Sequence, residues 1–483
     1  MSIDTKHPLY EEQFSDWEIC RDLYKGESFV KAKSTTYLPS TTAMQIDGMS
    51  VGQYGYIAYV SYLKRAKFPT LFRDAVEAFI GLLHQQKPTI TLPVQMEPMR
   101  EKASSSGESL EMLLRKISEE QLITGRLGLH LDFPSTVSQT GTLPYISIYS
   151  AESIINWDSG AVDGSAYETL RFVVLDETAY ENDGGFDWNL VKKYRVLQLG
   201  SIGDVSDNSP YQQNVFRDNN YDESEMYTPM YLGRTLDEIP FVFINSKDLI
   251  TTPDAAPLQS VASDVLTIYR AEADYRQSLF MQGQDTLITV GGIRNANAKN
   301  GEADAIRTGS GSRIDLEMGG DAKFIGVSSS GLAEQRMSLE NDYKRAEMKA
   351  GQLISSTGSR KESGLALRIR LAAQTATLNQ IAMSAAAGLE AILKIAAKWI
   401  GANPDEVKVI PNMEFADFEL NGDELLKLTQ AAQQGAPISM ETIHALMTDR
   451  GITKLSFEQE LASRKNDTYN DDVTINQPNN GEE

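Results

Sequence analysis

One segment constrains the fold more than any other: residues 363–401 predict a single helix that is apolar on nearly all of its sides. Ser359 and Glu362 have capping-box spacing and Ser363 is an alternative cap, while Gly401 ends the helix. A helix of this length spans roughly 50 Å. Because so apolar a helix must be buried on several sides, other elements or other copies of the chain have to cover it. The apolar positions include Ile369, Ala372, Ala373, Ala376, Ile381, Leu389, Ile392, Leu393, Ala396 and Trp399.

The net charge of the chain argues against some classes of function. The 483 residues are 41% hydrophobic, enough for a sizeable core and several compact units, and the formal net charge is -22. Most of this surface would repel a phosphate backbone, so the chain is not expected to work mainly by gripping DNA.

The cysteine content and the apolar runs indicate the cellular compartment and whether the chain crosses a membrane. The single Cys20 excludes an internal disulfide and fits a reducing cytoplasm, and the first residues contain no apolar core typical of a signal peptide. The apolar run Leu389–Ile400 is short and interrupted by charges, so we expect a core segment and no transmembrane segment.

The first 250 residues predict a mixture of helices and short strands. Helical periodicity runs over residues 56–88, interrupted at Pro69 and ended by Pro88, and returns over residues 109–125. Five β-rich runs follow, which predict a mixed or antiparallel sheet: RLGLHLDF, LPYISIYS, LRFVVLDE, VKKYRVLQLG and IPFVFIN.

Beyond Pro257 the pattern becomes helix, insertion, helix. Residues 258–283 and 332–354 predict helices, separated by a segment rich in glycine and charge with strand-like pieces at 286–290 and 323–327. The second helix has a narrow apolar seam that predicts packing against one partner helix. Its positions are Leu332, Arg336, Leu339, Tyr343, Ala346, Ala350 and Leu353.

The C-terminal part predicts further helix. Ser439 is a predicted N-cap, and Ile438 and Ile443 have the spacing of a hydrophobic staple. The last residues, 466–483, are polar and acidic and are expected to be disordered.

Catalytic and metal-binding patterns are missing from the sequence. It contains no phosphate-binding loop, no HExxH and no nucleophile elbow, so no cofactor and no metal site is expected. His130 is interpreted as structural or exposed, with a general base as the alternative. The pairs Asp183/Asp187 and Asp218/Asp222 are interpreted as solvated loop charge, with glycosidase carboxylates or calcium ligands as alternatives.

A cationic cluster stands out in this acidic chain. Arg360, Lys361, Arg368 and Arg370 lie in the segment before the long helix and in its first turns. The simplest interpretation is solvation or pairing with Glu362 and neighbouring chains; a functional one depends on where the loop points.

The order of these parts resembles the portal proteins of tailed bacteriophages. The matching phrases are YLP at residue 37, KRAKFP at 64, GRLGLHLDFP at 125, PYISIYSAESIINW at 144, IPFVFIN at 239, YRAEADYRQSLFMQGQ at 269 and SGLALRIRLAA at 363. The resemblance covers most of the chain and rests on the series, since no single phrase is decisive.

The resemblance implies an α+β portal fold. Residues 1–257 would form an α/β wing, 258–283 and 332–354 two stem helices, and 284–331 a clip inserted between them. The remaining parts would be a channel loop (355–362), a long wing helix (363–401), a short helical crown (402–465) and an acidic tail (466–483).

The resemblance also implies a function. The chain would form a homo-oligomeric ring of about twelve copies at one capsid vertex, through which double-stranded DNA enters and leaves without sequence-specific contacts. It would not be an enzyme, would be made in the host cytoplasm, and would bind no membrane. The terminase large subunit would dock at the clip and be followed by head-tail adaptor or tail proteins, while the capsid and scaffolding proteins would surround the ring.

Site residues follow from the same resemblance. Ser355, Ser356, Arg360 and Lys361 would face DNA in the channel; Arg294, Lys299, Arg307 and Arg313 would contact terminase or adaptor; and Leu332, Leu339, Tyr343 and Leu353 would form the stem seam. Two alternatives remain: another virion ring, such as an adaptor or tail-completion protein, and a carbohydrate-active enzyme with paired carboxylates.

Overall fold

In the computed structural model the chain divides into two compact units, Met1–Met413 and Glu414–Glu483. The structure describes residues 3–133, 143–161, 168–200, 210–217, 225–231, 233–283, 286–290, 318–325, 331–351, 364–413, 429–432, 434, 439–449, 453 and 455–466.

Nine helices are described in the first unit. The proline-interrupted pattern is confirmed, since α4 ends before Pro69 and α5 begins after it. Ser109 caps α6 and Gly125, in the left-handed conformation, ends it. The helices are α1 (Pro8–Lys25), α2 (Glu27–Ala32), α3 (Thr42–Ile46), α4 (Tyr54–Arg65), α5 (Leu71–Leu83), α6 (Leu110–Thr124), α7 (Gln259–Gln282), α8 (Leu332–Gly351) and α9 (Gly364–Ile400).

All the described strand pairings are antiparallel. The strands are β1 (Thr89–Thr91), β2 (Arg126–Asp132), β3 (Tyr145–Ser150), β4 (Ile154–Ala161), β5 (Glu168–Asp176), β6 (Ala179–Asn182), β7 (Trp188–Val191), β8 (Lys193–Leu199), β9 (Tyr211–Arg217), β10 (Glu225–Tyr227), β11 (Phe241–Asn245), β12 (Thr286–Val290), β13 (Asp321–Ile325) and β14 (Lys408–Ile410). They form a five-stranded sheet in the order β10-β9-β8-β5-β4, a three-stranded sheet in the order β11-β2-β3, and the pairs β1-β14, β6-β7 and β12-β13. The five predicted β-rich runs correspond to β2, β3, β5, β8 and β11.

The long apolar helix is confirmed as α9, and its second half is covered by its own chain. From Leu378 to Trp399 most of its apolar residues are buried, and α6, β2, β11 and β14 pack against the helix; Met383 and Ala387 are exposed. Trp399 packs edge-on against Phe133 and Tyr211, with ring centroids 4.6 and 6.3 Å away. Residues Ala376–Ile400 could cross a membrane by length and composition, but 67% of their apolar 18-residue window is buried inside the chain. This half of α9 therefore needs no neighbouring copy to hide it.

A buried polar cluster holds α9 and α6 against the end of β11. The Asn245 carbonyl accepts hydrogen bonds from Ser384 and Gln121, each at 2.7 Å. The Asn245 amide donates to the Asp248 carboxylate at 2.9 Å and to two backbone carbonyls of the following loop. Because Asn245 is fully buried, these bonds compensate for the lost hydration of its backbone carbonyl and of its side-chain NH2 group.

The C-terminal region differs from the predicted helical crown at its start. After a 3-10 turn at Pro404–Glu406, β14 pairs with β1 as part of the first unit, because a strand edge more than 300 residues away offers the partner. In the second unit, α10 (Met440–Asp449) is capped by Ser439, whose hydroxyl accepts from the Thr442 amide at 3.0 Å. That predicted N-cap is confirmed, while Ile438 and residues 467–483 lie outside the described residues. α11 (Phe457–Asn466) follows, and the rings of His444 and Phe457 are 5.4 Å apart.

Candidate assembly surface

The two helices predicted on either side of the insertion lie side by side as α7 and α8. Leu339, Ala346 and Ala350 on α8 are buried, and Leu339 and Ala346 form one apolar cluster with Ile268 on α7. These three predicted seam positions are thus buried in the structure. The seam does not extend into the first turns, where Leu332 is half-exposed and Arg336 is exposed beside Glu340. The last predicted seam position, Leu353, lies outside the described residues.

A polar contact joins the two helices beside the seam. Glu272 on α7 is 6% exposed. Its carboxylate accepts from Arg276 at 2.8 Å and from the Tyr343 hydroxyl of α8 at 3.2 Å. Burial, and then the nearby Glu272 carboxylate, raises the pKa of Tyr343 to about 12, so this hydroxyl remains a donor at neutral pH. Further along the pair, Lys349 and Asp264 are 2.6 Å apart. These contacts set the register between α7 and α8.

The N-terminal helices anchor α7 along its other side. Arg270 donates to the Tyr37 carbonyl at 2.9 Å, and the Tyr62 hydroxyl donates to Asp274 at 2.6 Å. Arg65 donates to Gln277 at 2.5 Å, and its guanidinium lies 3.9 Å from the ring centroid of Phe280. Sequence reasoning missed these contacts, because their partners are more than 200 residues apart and helical periodicity shows only which α7 residues are polar.

The last turns of α7 and the first turns of α8 expose large apolar side chains. Leu279, Phe280 and Met281 are 42%, 39% and 45% exposed at the end of α7, and Met337 near the start of α8 is 62% exposed. Within the described part of the chain, these ends have no apolar cover comparable to the seam. A run of exposed apolar residues along a helix pair marks an interaction surface. We therefore treat this end of α7 and α8 as the candidate assembly surface.

A β-hairpin continues from this surface. β12 and β13 pair from Thr286 opposite Ile325 to Val290 opposite Asp321. The two strand-like pieces predicted in the insertion are thus confirmed as strands, the second beginning two residues earlier than expected, and the structure adds that they pair with each other. Ile288 and Val290 are 44% and 64% exposed. A lone two-stranded hairpin is marginally stable in water, so this one gains from any further contact.

Eight predicted site residues cannot be placed on this surface. The insertion cations Arg294, Lys299, Arg307 and Arg313 and the loop residues Ser355, Ser356, Arg360 and Lys361 lie outside the described residues. Arg368 and Arg370 fall within α9, whose first turns are described by their backbone alone. The predicted roles of all these residues stay predictions.

Charge on the helix pair is nearly balanced. α7 carries three acidic and two basic residues, and α8 carries four of each. The pair therefore has a net charge of -1 (6 basic minus 7 acidic), so the acidity of the whole chain, -22, is concentrated elsewhere. A surface with so little net charge neither traps nor strongly repels a polyanion.

His130 has a structural environment. It is 1% exposed on β2, and its Nε2 lies 3.0 Å from the Tyr211 hydroxyl. Burial, helped by the charge of Arg195, lowers its pKa to about 3. A neutral imidazole enclosed in this way has no access to a substrate, so the structural interpretation is confirmed.

The predicted acidic pairs and one pocket are the other candidates for a catalytic or metal site. Asp183 and Asp187 are exposed at the turn between β6 and β7, and Asp218 and Asp222 lie outside the described residues. Among the residues described, no three His, Cys, Asp or Glu side chains come together around a metal position. A pocket of about 440 Å³ lies between α6 and β3, but the carboxylates that line it have partners within the chain. Those carboxylates are Glu108, Glu119 and Glu120.

Comparison with known families gives one match. A family model described as a domain of unknown function, DUF4055, matches residues 257–400. The matched segment contains α7, the insertion, α8 and α9, and so includes the candidate assembly surface. A search of curated proteins found no match.

Comparison with solved structures returns parts of gene transfer agent particles. A chain in the neck of the native particle, computed with C12 symmetry, has 14% identity and a TM-score of 0.37, and one in the empty particle's neck, computed with C6 symmetry, has 14% and 0.36. A chain in the virion of the native particle has 13% identity and a TM-score of 0.35. Each alignment covers 80% of this chain and 92% of the other. TM-scores below 0.5 carry no inference about function.

Proposed function

We propose that this chain is a virion ring protein of the portal type, in which identical copies surround a central channel at one capsid vertex. The observation that carries the proposal is the α7-α8 pair, which is packed on one side and apolar but uncovered at its outer end. Leu279, Phe280 and Met337 there would be covered by a different face of the α7-α8 pair of a neighbouring copy. Each contact would then be heterologous, and such contacts close into a ring when the rotation between copies is right.

The proposed channel carries double-stranded DNA during packaging and ejection. A conduit has to let the duplex slide, and the near-neutral charge of α7 and α8 suits this role better than a basic lining, which would add salt-dependent friction. Arg360 and Lys361 in the predicted channel loop are the proposed DNA contacts. We propose no catalytic step for this chain; the energy for packaging would come from a separate terminase motor.

The proposed docking platform is the insertion between α7 and α8. Its described part is the hairpin β12-β13, and its cations are Arg294, Lys299, Arg307 and Arg313. Terminase would bind there first, followed by adaptor or tail proteins. The proposed location is the portal vertex of the virion, after synthesis in the bacterial cytoplasm.

Mass photometry and negative-stain imaging of the purified full chain test the ring. We expect ring-shaped particles of about twelve copies, with a central hole. A chain that stays monomeric at concentrations of tens of micromolar, across salt and pH, would exclude the proposal. Replacing Arg360 and Lys361 with Ala then tests the channel role: rings should still form, and packaging or retention of DNA should change.

A further inference from the structure

A hairpin outside the α7-α8 surface exposes several large apolar side chains. β6 and β7 continue β5 and β8 beyond the five-stranded sheet, and Tyr180 stands opposite Leu190 across the hairpin. Tyr180, Trp188 and Leu190 are 65%, 62% and 56% exposed, and Phe186 in the turn is 101% exposed.

The hairpin has one apolar face and an acidic tip. Side chains alternate between the faces of a strand, so Tyr180, Trp188 and Leu190 share one face. The turn adds the exposed carboxylates Asp183 and Asp187. Exposing three aromatic rings to solvent is unfavourable for an isolated chain. A partner that fits this face would present an apolar stripe that ends in positive charge.

The same chain carries such a surface on α4, where an apolar stripe ends in lysines. Tyr54, Ile57, Ser61 and Lys64 follow one face of α4 at steps of three and four residues. Tyr54 and Ile57 are 84% and 54% exposed. Lys64 is exposed at the C-terminal end of this stripe, with Lys67 exposed just beyond it.

Exposed residues from α3 and the following loop widen the apolar end of this stripe. Ile46 is 79% exposed and Val51 is 84% exposed. The corner between α3 and α4 is tight, since a Cβ added at Gly55 would lie 1.9 Å from the Met44 carbonyl oxygen. The apolar end of the α4 surface is therefore held in a fixed shape before any partner arrives.

The two surfaces match in length as well as in charge. From Tyr54 to Lys64 the α4 stripe extends roughly 15 Å at the rise of a helix. From Leu190 to Phe186 the hairpin extends roughly 13 Å at the rise of a strand. With Leu190 against Tyr54 and Ile57, the acidic tip reaches the end of α4 that carries Lys64.

We propose that the β6-β7 hairpin of one copy docks on the α4 surface of the next copy. The two surfaces are different parts of the same chain, so the contact is heterologous and repeats around a ring, as the proposed function requires. The repetition of this contact around a ring rests on the proposed function. The contact itself is a second interface, separate from the one at α7 and α8.

Substitutions on either surface should weaken the ring to a similar extent. Trp188→Glu and Tyr54→Glu each place a charge in the apolar contact, and each should raise the concentration at which rings dissociate by about tenfold or more. The matched control is Val94→Glu, at a residue that is 85% exposed outside both surfaces and should change that concentration less than about twofold. All three sites are exposed, so thermal unfolding of the variants should match that of the parent chain.

Charge exchange and cross-linking test which surfaces meet. Asp187→Lys and Lys64→Glu should each weaken the ring, and the double variant should recover most of the loss. In a Cys20→Ala background, Leu190→Cys combined with Ile57→Cys should form disulfides between copies, whereas Val94→Cys with Ile57→Cys should not.

The outcomes separate this inference from the proposed function. Rings that form normally and respond to Trp188→Glu and Tyr54→Glu no more than to Val94→Glu would overturn the docking and leave the ring intact. A parent chain that forms no rings would overturn both proposals together.

Discussion

The Tyr343 hydroxyl on α8 donates to the buried Glu272 carboxylate on α7, with 3.2 Å between the two oxygens. This bond joins residues 71 positions apart and fixes how the two helices face each other. Since the outer ends of the same helices form the candidate assembly surface, any loosening here should appear first as mobility of α8.

Tyr343→Phe removes this hydrogen bond and, apart from the hydroxyl group, leaves the side chain unchanged. We expect a loss of about 1–2 kcal/mol in the stability of the helix pair, because Glu272 keeps Arg276 as its second partner. Hydrogen exchange should become faster in α8 and stay unchanged in α6. Tyr275→Phe is the matched control on α7, where no hydrogen bond of the hydroxyl is described; equal effects of both changes would contradict the assignment.

Asn245→Ala should destabilise the first unit by about 2–4 kcal/mol. The change removes the hydrogen bonds that the side chain donates to Asp248 and to the carbonyls of Ile250 and Thr252, and leaves these partly buried acceptors without that donor. Urea unfolding measures the loss. Asn156→Ala, which removes one exposed bond to the Thr5 carbonyl, should cost less than about 1 kcal/mol.

Gly388→Ala should destabilise the packing of α9 on β11 by about 1–3 kcal/mol. The added methyl would lie 2.3 Å from the end of the Ile244 side chain. Shortening that side chain with Ile244→Val should recover part of the loss. Gly81→Ala in α5 is the control, since its Cβ would meet nothing within 4 Å and the change should raise stability by up to about 1 kcal/mol.

Two buried arginines should respond in opposite directions to replacement by Met. Arg126 is fully buried over Trp157 and Phe243, and none of its guanidinium nitrogens has a hydrogen-bond partner among the described residues. Burial lowers its pKa to about 9, so the charge is unfavourable there. Arg126→Met should therefore be neutral or stabilising.

Arg195 is the contrasting case. It contacts Glu177 at 2.6 Å and Asp132 at 3.3 Å, both carboxylates being largely buried. Arg195→Met removes the cation that contacts Asp132 and one of the two that contact Glu177, which keeps Lys193 at 2.8 Å. The change should cost about 3–5 kcal/mol. Urea unfolding at neutral pH compares the two variants, and a larger loss for Arg126→Met would refute this account.

The free energy of unfolding should decrease as the pH is lowered, and His130 should contribute to this decrease. Burial lowers the pKa of His130 to about 3, from about 6.5 in the unfolded chain. The neutral form is thus favoured on folding, so its contribution is complete above pH 6.5 and is lost as pH falls from there towards 3. The loss from this residue is at most about 1.4 kcal/mol per pH unit.

Denaturant titrations of the parent chain and His130→Gln at pH 7.5, 6.5 and 5.5 measure that contribution. Gln has no proton to bind in this range and can still contact Tyr211, so the variant should depend less on pH. Parallel curves for the two proteins would show that His130 does not carry the effect.

The sequence by itself determined the elements whose information is local. Repeats of three and four residues predicted α8 and its seam, Pro69 separated α4 from α5, and Ser439 marked the start of α10. The resemblance to portal proteins also came from the order of short phrases, without any knowledge of contacts. These features depend on neighbouring residues, which a sequence displays directly.

Only the tertiary structure decided what covers each surface. The apolar sides of α9 predicted burial, but the partner elements α6, β2, β11 and β14 come from distant parts of the chain. Residue 402 onwards was expected to be helical, yet β14 forms because β1 offers it a strand edge. The burial of Arg126 and the exposure of the hairpin at Trp188 gave no local signal, because burial depends on which surfaces meet, and neither charge nor periodicity along the chain specifies that.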